Sequence, residues 1–567
     1  MTGATYTAST QAATDASSVA ANLASGHAVF TVPPPQNEPT LAYRPGSPER
    51  EALKASLKHL TEQKIDVPVV IGSEVISSGE KRDMRMPHAH AHLLGHYHCA
   101  TRADLDKALA ASAKAKPAWA AMPWQDRAAI FLKAADLLAG PYRSVLNAVT
   151  MAAQSKTAYQ AEIDSACELI DFIRFNVHFM QQIYQQQPVS SPGVWNRMEY
   201  RPLEGFVLAV TPFNFTAIAG NLPMSAALMG NTVIWKPASS VVYTAWHVMK
   251  LWEMAGLPEG VITMMAGPAN EIVDPLLEHP DLAGVHFTGS TAVFHHIWKR
   301  VGENIGRFRT YPRLVGETGG KDFVFAHASA DPIEVATALV RGAFEFQGQK
   351  CSAASRAYIP HALWPRVREH LLSELAHVKV GDVADFRNFM GAVIDREAFQ
   401  RIKGFIDFAK ADDGCETIAE GTVDDSLGYF VAPHVFRAHE PDFRLMREEI
   451  FGPVLTVYVY DEKRFEETLA ICDQTSPYAL TGAIFARDRR AIAIAAERLQ
   501  NAAGNFYIND KPTGAVVGQQ PFGGGRASGT NDKAGSVYNL LRWVSPRTIK
   551  ETFVPPTNFR YPFMEGE

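Results

Sequence analysis

The chain of 567 residues lacks the cysteine content and spacing that a disulfide scaffold needs. It has five cysteines, an odd number, and no two of them form a C-x-x-C pair. This pattern argues against a disulfide framework and against a zinc or iron–sulfur site built from cysteines. We therefore expect a reducing compartment and free thiols, at least one of which is a candidate for reactivity.

A large excess of charge of either sign is also missing. The 54 Lys and Arg residues against 60 Asp and Glu residues give a net charge of −6, which creates no one-sided field for nucleic acid or an anionic membrane. With 47% hydrophobic and 20% charged residues, the composition excludes disorder and collagen-like repeats. At about 100–200 residues per domain, the length predicts two to four domains.

Signals for secretion or membrane insertion are missing as well. The first forty residues contain no Lys or Arg, whereas a secretory signal begins with basic residues and a mitochondrial presequence is rich in Arg. We interpret residues 1–40 as a flexible extension. From Gly205 to Trp235 there is no charged residue, but prolines and asparagines interrupt the stretch. Two buried strands with a short helix between them fit this segment better than a membrane span.

From about residue 100 onward, strand-like runs alternate with helical periods, which is typical of a parallel α/β sheet. GFVLAV, NTVIWKP, GVITMMAG and GVHFTGS predict one series of strands, and a second series extends from FVFAH to NFYIN. We therefore predict two α/β units, with one continuous helix over residues 161–185 in the first. The segment 187–202 contains a Ser-Pro-Gly turn and predicts a hairpin, to which the strand-like C-terminus of this or another subunit can pair.

Three residues supply the parts needed for covalent attack on a carbonyl carbon. Cys351 lies in FQGQKCSA, where the start of a following helix would lower the pKa of its thiol. Glu317 in GETGGK is a candidate base, and Asn214 in TPFNF is a candidate amide donor. Each has a plain structural alternative when taken alone: a buried cysteine, a solvated loop carboxylate and a turn-capping amide.

Seven short motifs occur in the order found in the aldehyde dehydrogenase superfamily, which the sequence resembles. They are TPFNF, NTVIWKPA, FTGST, GETGGK, FQGQKCS, EEIFGPV and PFGGG. Within that superfamily the chain most resembles the delta-1-pyrroline-5-carboxylate dehydrogenase family, which oxidises glutamate semialdehyde to glutamate in proline breakdown. This closer resemblance rests on NEPTLAYRPGSPERE, TPFNFTAI, GQKCSAASR and NDKPTGAVVGQQPFGGGRASGTNDK.

The resemblance implies an α/β fold with a Rossmann-type NAD-binding domain, an α/β catalytic domain that carries the thiol nucleophile, and a small β oligomerisation flap. The corresponding ranges are 41–186 with 203–317, then 318–535, and finally 187–202 with 536–567. It also implies a homodimer or larger homo-oligomer, with no nucleic acid, membrane or metal partner. Eukaryotic members work in the mitochondrial matrix, whereas a start without arginine favours a bacterial cytoplasm.

The same resemblance implies a mechanism. The Cys351 thiolate attacks the aldehyde carbon, and the Asn214 amide with the Cys351 backbone N–H stabilises the oxyanion. Hydride passes to NAD, and Glu317 activates the water that hydrolyses the acyl-enzyme.

Cofactor contacts are implied for five residues, namely Lys236, Gly289, Ser290, Glu449 and Phe451. Lys236 would bind the adenosine ribose, and Ser290 with Gly289 opens a helix whose free N–H groups favour a pyrophosphate. Glu449 would hold the nicotinamide ribose, with Phe451 beside it. No G-x-G-x-x-G motif follows a strand, and we interpret the Gly523-Gly524-Gly525 run as a tight loop.

Ser239 is the one departure that bears on cofactor choice. Many NAD-preferring members have a glutamate three residues after the lysine, where it accepts a hydrogen bond from the ribose 2′-OH. Serine neither repels a 2′-phosphate nor holds the free hydroxyl strongly, so we expect NAD, with weaker use of NADP left open.

For the substrate, the resemblance implies that Glu168 meets the α-ammonium group and that Ser352 helps to anchor the α-carboxylate. The backbone N–H groups of Gly514 and Ala515 complete the anchor. Two rings, Phe215 and Phe522, clamp the aliphatic stem. Ala515 stands where family members have a serine, which leaves the anchor to backbone donors. Glu168 alone would suggest an exposed helix carboxylate.

Two further sets of observations leave alternatives. His88, His90 and His92 alternate and would share one face of a strand, which could ligate zinc or copper, but the chemistry needs no metal and we expect none. The other functions that we consider are oxidation of a different semialdehyde, a thiol hydrolase or esterase on the same scaffold, and an inactive relative. Residues such as Lys236 discriminate, because a hydrolase has no use for a dinucleotide site.

Overall fold

The computed structural model describes residues 28–77 and 79–566. Its strands group into a three-stranded, a five-stranded and a seven-stranded sheet with four two-stranded pairs. The main helices are Pro48–Glu62, Arg102–Ala121, Trp124–Ala139, Arg143–Gln154, Ala158–Ala161, Leu169–Gln185, Thr216–Leu228, Val242–Ala255, Ala269–Leu277, Thr291–Glu303, Pro332–Phe344, Trp364–Leu375, Arg396–Ala411, Arg444–Arg447, Phe465–Gln474, Arg489–Arg498 and Val537–Leu541.

The five-stranded sheet is parallel throughout. Its strands in spatial order are Arg313–Glu317, Leu282–Thr288, Phe206–Val210, Val233–Lys236 and Ile262–Met264. Alternate residues of one strand enter different cores, since Val207 packs in one apolar cluster and Leu208 in another. Both faces are therefore covered, as parallel sheets require. Lys236 and Glu317 each end a strand at the carboxyl edge of this sheet, with two strands between them, and α/β sheets bind ligands at this edge.

The seven-stranded sheet holds the second half of the chain. Its strands in spatial order are Cys415–Ala419, His434–Ala438, Val454–Tyr460, Ala354–Pro360, Asp322–Ala326, Thr481–Phe485 and Asn505–Ile508. Only the pair at the Cys415 edge is antiparallel, while the others run parallel. The three-stranded sheet consists of Ile65–Val67, Ala89–His98 and Lys81–Met86. The shorter pairs are formed by Val69–Ile71 with Glu74–Ile76, Val423–Asp424 with Phe430–Val431, and Tyr478–Ala479 with Gly525–Arg526.

The predicted hairpin at residues 187–202 is wrong in its form. The segment contains one strand, Val194–Pro202, and its partner is Val544–Thr552 of the same chain. All nine residues of the first strand are paired antiparallel. The Ser-Pro-Gly turn precedes this strand. The residues before the turn lie beside the strand, since Gln187 Oε1 accepts from the Met198 N–H over 2.8 Å, but they form no second strand.

The segment without charged residues forms two strands and a helix, as expected. Phe206–Val210 and Val233–Lys236 flank the helix Thr216–Leu228, all largely buried in the protein core. Within the described ranges, none of the helices has the length and apolar character that a membrane crossing needs.

Part of the predicted flexible extension, residues 1–27, lies outside the described residues. The rest of that range contacts the folded protein, because the Val32 N–H donates to Gln181 Oε1 over 2.6 Å and the Glu38 N–H to Asp171 Oδ1 over 2.7 Å. For residues 32–40 the expectation of a free extension is therefore wrong. Paired polar groups hold this segment in place despite its low content of regular structure.

Candidate active site

A cavity of about 380 Å³ opens between the elements that carry the predicted catalytic and substrate residues. Two of its walls are supplied by Glu317, at the end of the strand Arg313–Glu317, and by Cys351. The other predicted residues that line it are Glu168, Phe215, Ser352, Gly514, Ala515 and Phe522. Residues scattered over 355 positions, from 168 to 522, therefore meet around one cavity.

Cys351 is presented by a strained turn. After the helix Pro332–Phe344, the backbone of Phe346 and Gln347 adopts left-handed φ angles of 50° and 56°, which non-glycine residues rarely adopt. Gly348 follows with a φ of 65°, and a Cβ there would lie 2.3 Å from the Gly452 carbonyl oxygen. Only glycine fits at that point, so the shape of the turn requires the glycine of FQGQKC.

The segment after Cys351 is a strand, Ala354–Pro360, and the predicted helix start is wrong. The thiol therefore gains no help from a helix N-terminus. Burial raises the pKa of Cys351, and the neighbouring carboxyl groups of Asp322, Glu449 and Glu317 raise it further. These surroundings favour the protonated thiol over the thiolate.

Hydrogen bonds of buried glutamine side chains hold this turn in place. The Gln347 amide donates to the carbonyl oxygens of Ser155 and Ala392 over 3.2 and 2.7 Å. Gln349 accepts from the Ile394 N–H over 2.9 Å, and the Gln349 carbonyl accepts from Asn214 Nδ2 over 3.1 Å. Asn214 is thus buried against Gln349, the residue two positions before the nucleophile.

Glu317 meets the glycine-rich loop. Its Oε2 atom accepts from the Gly524 N–H over 3.1 Å, and a Cβ at Gly523 would lie 2.9 Å from Oε1. The glycines therefore leave room for the carboxyl group. Burial raises the pKa of Glu317 well above its ordinary value, although Lys533 and this hydrogen bond act in the opposite direction.

The residues expected to contact a dinucleotide lie at the carboxyl edge of the five-stranded sheet and beside it. Burial lowers the pKa of Lys236 to about 8, so this amine would gain from oxygen partners. Ser290 caps the helix Thr291–Glu303 by accepting from the Val293 N–H over 3.4 Å. The other N–H groups of the first turn have no partner within the helix and point out of its N-terminus, where they can donate to a pyrophosphate.

Gly289, Glu449 and Phe451 complete this set. A Cβ at Gly289 would lie 2.7 Å from the Phe287 ring. Glycine therefore lets the backbone pass close to this ring just before the helix Thr291–Glu303 begins. Glu449 accepts from the Gly320 N–H over 2.9 Å, and burial raises the pKa of its carboxyl group. The ring of Phe451 packs edge-on against Phe213 at 5.8 Å. This donor and acceptor set fits a dinucleotide.

At the other end of the cavity, Glu168 is in a segment of π-helix. Glu162–Glu168 interrupts the helix that was predicted to be continuous over residues 161–185. Burial raises the pKa of Glu168 well above its ordinary value, and Asp164 adds to this effect, while Lys156 and Lys350 oppose it. Glu168 is therefore not the exposed helix carboxylate that the sequence alone would suggest.

Ser352 and the loop 511–520 form the opposite wall. Ser352 Oγ and Thr513 Oγ1 are 2.8 Å apart and hydrogen bonded. Gly514 has a left-handed φ of 91°, and a Cβ there would lie 3.1 Å from Lys511 Nζ. Phe215 stacks under Lys156, whose Nζ lies 4.2 Å from the ring centre. This end therefore combines cations, hydroxyls and an aromatic ring.

Comparison with known proteins decides the family. The sequence model described as "Aldehyde dehydrogenase family" matches residues 75–549. The chain belongs to the aldehyde dehydrogenase family. The predicted fold class is thereby confirmed.

Similar proteins cover nearly the whole of this aldehyde dehydrogenase. "Delta-1-pyrroline-5-carboxylate dehydrogenase, mitochondrial" of Dictyostelium discoideum is 51% identical over 545 residues, which are 96% of this chain and 98% of the relative. The Homo sapiens protein of the same name is 48% identical over 530 residues, 93% and 94% of the two chains. A crystal structure of delta-pyrroline-5-carboxylate dehydrogenase from Mycobacterium tuberculosis bound with NAD has a TM-score of 0.92 at 55% identity, and covers 95% of this chain and 100% of that one.

Several residues at the cavity of this aldehyde dehydrogenase were missed by sequence reasoning. The cations are Arg341, Lys350 and Lys511, and they surround Glu345. Burial acts to raise the pKa of Glu345, but attraction to Lys350 and Lys511 outweighs it and lowers the pKa. The signal that could have found two of these cations is their position next to the motif residues, in GQKCS and NDKPTG.

The alternating histidines do not form a metal site. His90 Nε2 pairs with the Asp425 carbonyl and His92 Nε2 with the Thr61 carbonyl, each at 2.8 Å. His88 is buried and contacts Ser155 Oγ through Nδ1 at 3.1 Å. Over residues 28–77 and 79–566, no group of three or more His, Cys, Asp or Glu side chains could hold a metal ion. These histidines join the strand Ala89–His98 to surrounding segments.

Proposed function

We propose that this chain catalyses the NAD-dependent oxidation of L-glutamate gamma-semialdehyde, the open form of delta-1-pyrroline-5-carboxylate, to L-glutamate in proline catabolism. Near full-length similarity to proteins of that name, one of them bound with NAD, supports the proposal. The observation that carries it is a single cavity that joins a thiol and a buried carboxyl group to an end suited to a charged amino acid.

The reaction would begin at Cys351. Once the thiol proton is lost, the thiolate attacks the aldehyde carbon and forms a tetrahedral thiohemiacetal. The Asn214 amide and the Cys351 N–H would donate to the oxyanion, and one such donor contributes about 3 kcal/mol. Bound NAD supplies the acceptor for hydride. Glu317 then takes a proton from water, which hydrolyses the thioester and releases the acid.

Substrate recognition would use the opposite end of the cavity. Glu168 would pair with the α-ammonium group, since a buried carboxyl group of raised pKa ionises most readily when a cation arrives. Ser352 and the N–H groups of Gly514 and Ala515 would hold the α-carboxylate. Phe215 and Phe522 would enclose the carbon chain.

The dinucleotide would be held by the five residues already described at the edge of the five-stranded sheet. Ser239, whose hydroxyl donates to the Gly267 carbonyl over 3.3 Å, brings no negative charge to repel a 2′-phosphate. We therefore expect NAD to be preferred and NADP to be used more slowly.

The organisation that supports this activity is a cofactor domain at 41–186 and 203–317, a catalytic domain at 318–535 and an assembly element at 187–202 and 536–567. The assembly element would join at least two copies. Its support is the pair of strands Val194–Pro202 and Val544–Thr552, with Trp195, Phe553 and Val554 exposed nearby. Multi-angle light scattering of the purified protein tests this, and a monomer would refute it.

The compartment would be the cytoplasm in a bacterium and the mitochondrial matrix in a eukaryote. The names of the Dictyostelium discoideum and Homo sapiens relatives include the word mitochondrial. Fractionation of the source cells decides between the two.

The activity is tested with purified protein, delta-1-pyrroline-5-carboxylate and NAD, with NADP in parallel. We expect absorbance of the reduced nicotinamide to rise, and glutamate to form in equal amount. Turnover of simple aldehydes without turnover of pyrroline-5-carboxylate would refute the substrate. Hydrolysis of thioesters or esters without any reduced nicotinamide would refute the reaction itself.

A further inference from the structure

Residues 32–41 cross the substrate end of the cavity, and we call them the N-terminal strap. Asn37, Glu38 and Thr40 line the cavity itself. The strap contains no helix or strand, so its position depends on side-chain and backbone hydrogen bonds. Leu41, at its far end, donates its N–H to Glu162 Oε1 over 2.8 Å.

Charged groups fasten the strap to the helices behind it. Glu38 Oε1 pairs with Arg143 over 2.5 Å, and Glu38 Oε2 pairs with Arg174 over 2.7 Å. The Glu38 N–H donates to the buried Asp171 over 2.7 Å. Bonds with ionised partners are about twice as strong as neutral ones. The strap is therefore held firmly on its helix side.

Asn37 reaches from this fixed base to the loop 511–520. Its Nδ2 atom donates to Asp171 Oδ2 and to the Val517 carbonyl oxygen, each over 2.8 Å. Its Oδ1 atom accepts from Gln519 Nε2 over 2.9 Å. Both N–H groups and the carbonyl of the side chain are used. One residue thus links Asp171, on the helix Leu169–Gln185, to two points of the loop.

The loop also has other supports. Val517 is buried in the same apolar cluster as Phe172, and a Cβ at Gly518 would lie 2.1 Å from the Phe175 ring on the helix Leu169–Gln185. Thr513 is hydrogen bonded to Ser352 over 2.8 Å. Apolar packing, which is not directional, therefore keeps the loop beside the helix.

The hydrogen bonds within the loop are local. Val516 N–H donates to Gln520 Oε1 over 2.9 Å, and the Gln519 N–H donates to the Val516 carbonyl over 3.0 Å. Gly514 precedes this turn at a φ of 91°, a conformation that glycine adopts without strain. The directional bonds of Asn37 therefore matter for where the N–H groups of the loop point.

We propose that Asn37 is a positioning residue for the substrate α-carboxylate. By fastening Val517 and Gln519 to the helix Leu169–Gln185, it holds the N–H groups of Gly514 and Ala515 at the spacing that a bound carboxylate needs. It thereby favours aldehydes that carry a carboxylate over those that do not. The inference rests on the proposed function, since the carboxylate is that of glutamate semialdehyde.

The test compares two substrates with the intact enzyme and NAD. One is glutamate semialdehyde, and the other is pentanal, which has the same number of carbons but neither ammonium nor carboxylate. For Asn37→Ala we expect the KM for glutamate semialdehyde to rise about tenfold, the effect of one or two lost hydrogen bonds. The kcat with that substrate, the kcat/KM for pentanal and the KM for NAD should each stay within about twofold of wild type.

Two other variants serve as comparison and control. Gln519→Ala removes one of the three bonds, so its KM should rise about threefold. Gln36→Ala changes the exposed neighbour of Asn37 and should leave both substrates unaffected. If Asn37→Ala does not fold, as judged by circular dichroism and melting temperature, Gln519→Ala decides alone.

Three results overturn the inference. Unchanged KM for glutamate semialdehyde in the loop and strap variants would show that the loop positions itself. An equal loss with pentanal would indicate a general structural role. If wild type oxidises pentanal but not glutamate semialdehyde, the proposed function fails, and this inference fails with it for that separate reason.

Discussion

The two ends of the active-site cavity are built in different ways. At the reacting end, Glu317 terminates a strand of a buried sheet and Cys351 lies in a turn locked by amide hydrogen bonds. At the substrate end, the walls are a π-helical segment, a loop and the N-terminal strap, held together by ion pairs such as Glu38 with Arg143. A strand end and a turn held by uncharged amide groups therefore form the reacting end, and ion pairs hold the substrate end together.

The difference extends to protonation. Burial raises the pKa values of Cys351 and Glu317, which favours the neutral forms of both groups. At the substrate end burial raises the pKa of Glu168 as well, but an ion pair lies beside it, since Lys350 pairs with Glu345 over 3.1 Å. We expect changes at the reacting end to lower kcat, and changes at the substrate end to raise KM with little effect on simple aldehydes.

The largest expected effect comes from Cys351→Ala. Without the sulfur no covalent intermediate forms, so oxidation of glutamate semialdehyde should fall by more than about 10⁴-fold. Binding of NAD, followed by calorimetry, should remain. The matched control is Cys415→Ala, which removes a half-buried thiol on the strand Cys415–Ala419 and should keep its activity. Substantial turnover by Cys351→Ala would show that Cys351 is not the nucleophile.

Glu317→Gln should slow steady turnover by about 100- to 1000-fold, because the amide cannot accept a proton from water. We expect one burst of reduced nicotinamide and a stable acyl-enzyme, which intact-protein mass spectrometry would detect. Turnover without accumulation of the acyl-enzyme would show that another group activates the water.

The pH dependence of wild type sharpens the same point. Glu317 acts as base only when deprotonated, and burial raises its pKa, so turnover should increase with pH beyond the range of an ordinary glutamate. The Cys351 thiolate also becomes more abundant as pH rises. Alkylation of Cys351 by iodoacetamide, measured against pH, should therefore accelerate in the same direction. Turnover that no longer increases above the range of an ordinary glutamate would contradict the raised pKa of Glu317. Alkylation with the pH dependence of an ordinary thiol would contradict the raised pKa of Cys351.

At the substrate end, Glu168→Gln keeps the shape of the side chain but removes its ability to ionise. The KM for glutamate semialdehyde should rise by about 10- to 100-fold, as expected for the loss of a partner to a charged group. The kcat/KM for pentanal should stay constant. An equal decrease for both substrates would place Glu168 among the groups that support the reacting end.

The smallest effect is a gain. Ala515→Ser adds a hydroxyl donor beside the Gly514 N–H, which should lower the KM for glutamate semialdehyde about threefold. Kinetics with pentanal provide the comparison and should not change. If neither KM changes, the backbone donors of the loop already satisfy the carboxylate.

The reacting end could be predicted well from the sequence. Its residues occur in short local motifs, and the strand that ends at Lys236 follows from an apolar run that ends in a polar residue. The strand Arg313–Glu317 was not predicted. The glycines near Glu317 and Cys351 also stand out in the sequence. Their reason is that a side chain at these positions would clash with neighbouring atoms. The helix expected after Cys351 failed, since the strand Ala354–Pro360 is set by its neighbours in the seven-stranded sheet.

The substrate end could be predicted only in part. The π-helical segment Glu162–Glu168 depends on tertiary partners, such as Asn147, whose Nδ2 atom donates to Glu162 Oε2 over 2.8 Å. The local sequence pattern therefore does not predict that the α-helix is interrupted here. The strap was misjudged for the same reason, because Asn37 finds its partner Val517 480 positions away along the chain.

The antiparallel pairing of Val194–Pro202 with Val544–Thr552 has a consequence for synthesis on the ribosome. The first strand leaves the ribosome long before its partner, and about 350 residues separate them. At roughly 5–20 residues per second, this interval lasts about 18–70 s. Trp543, which is fully buried in the apolar cluster that contains Val207, is also synthesised late. The nascent first half thus carries an unpaired strand edge, an aggregation hazard that a chaperone could shield until the chain is released.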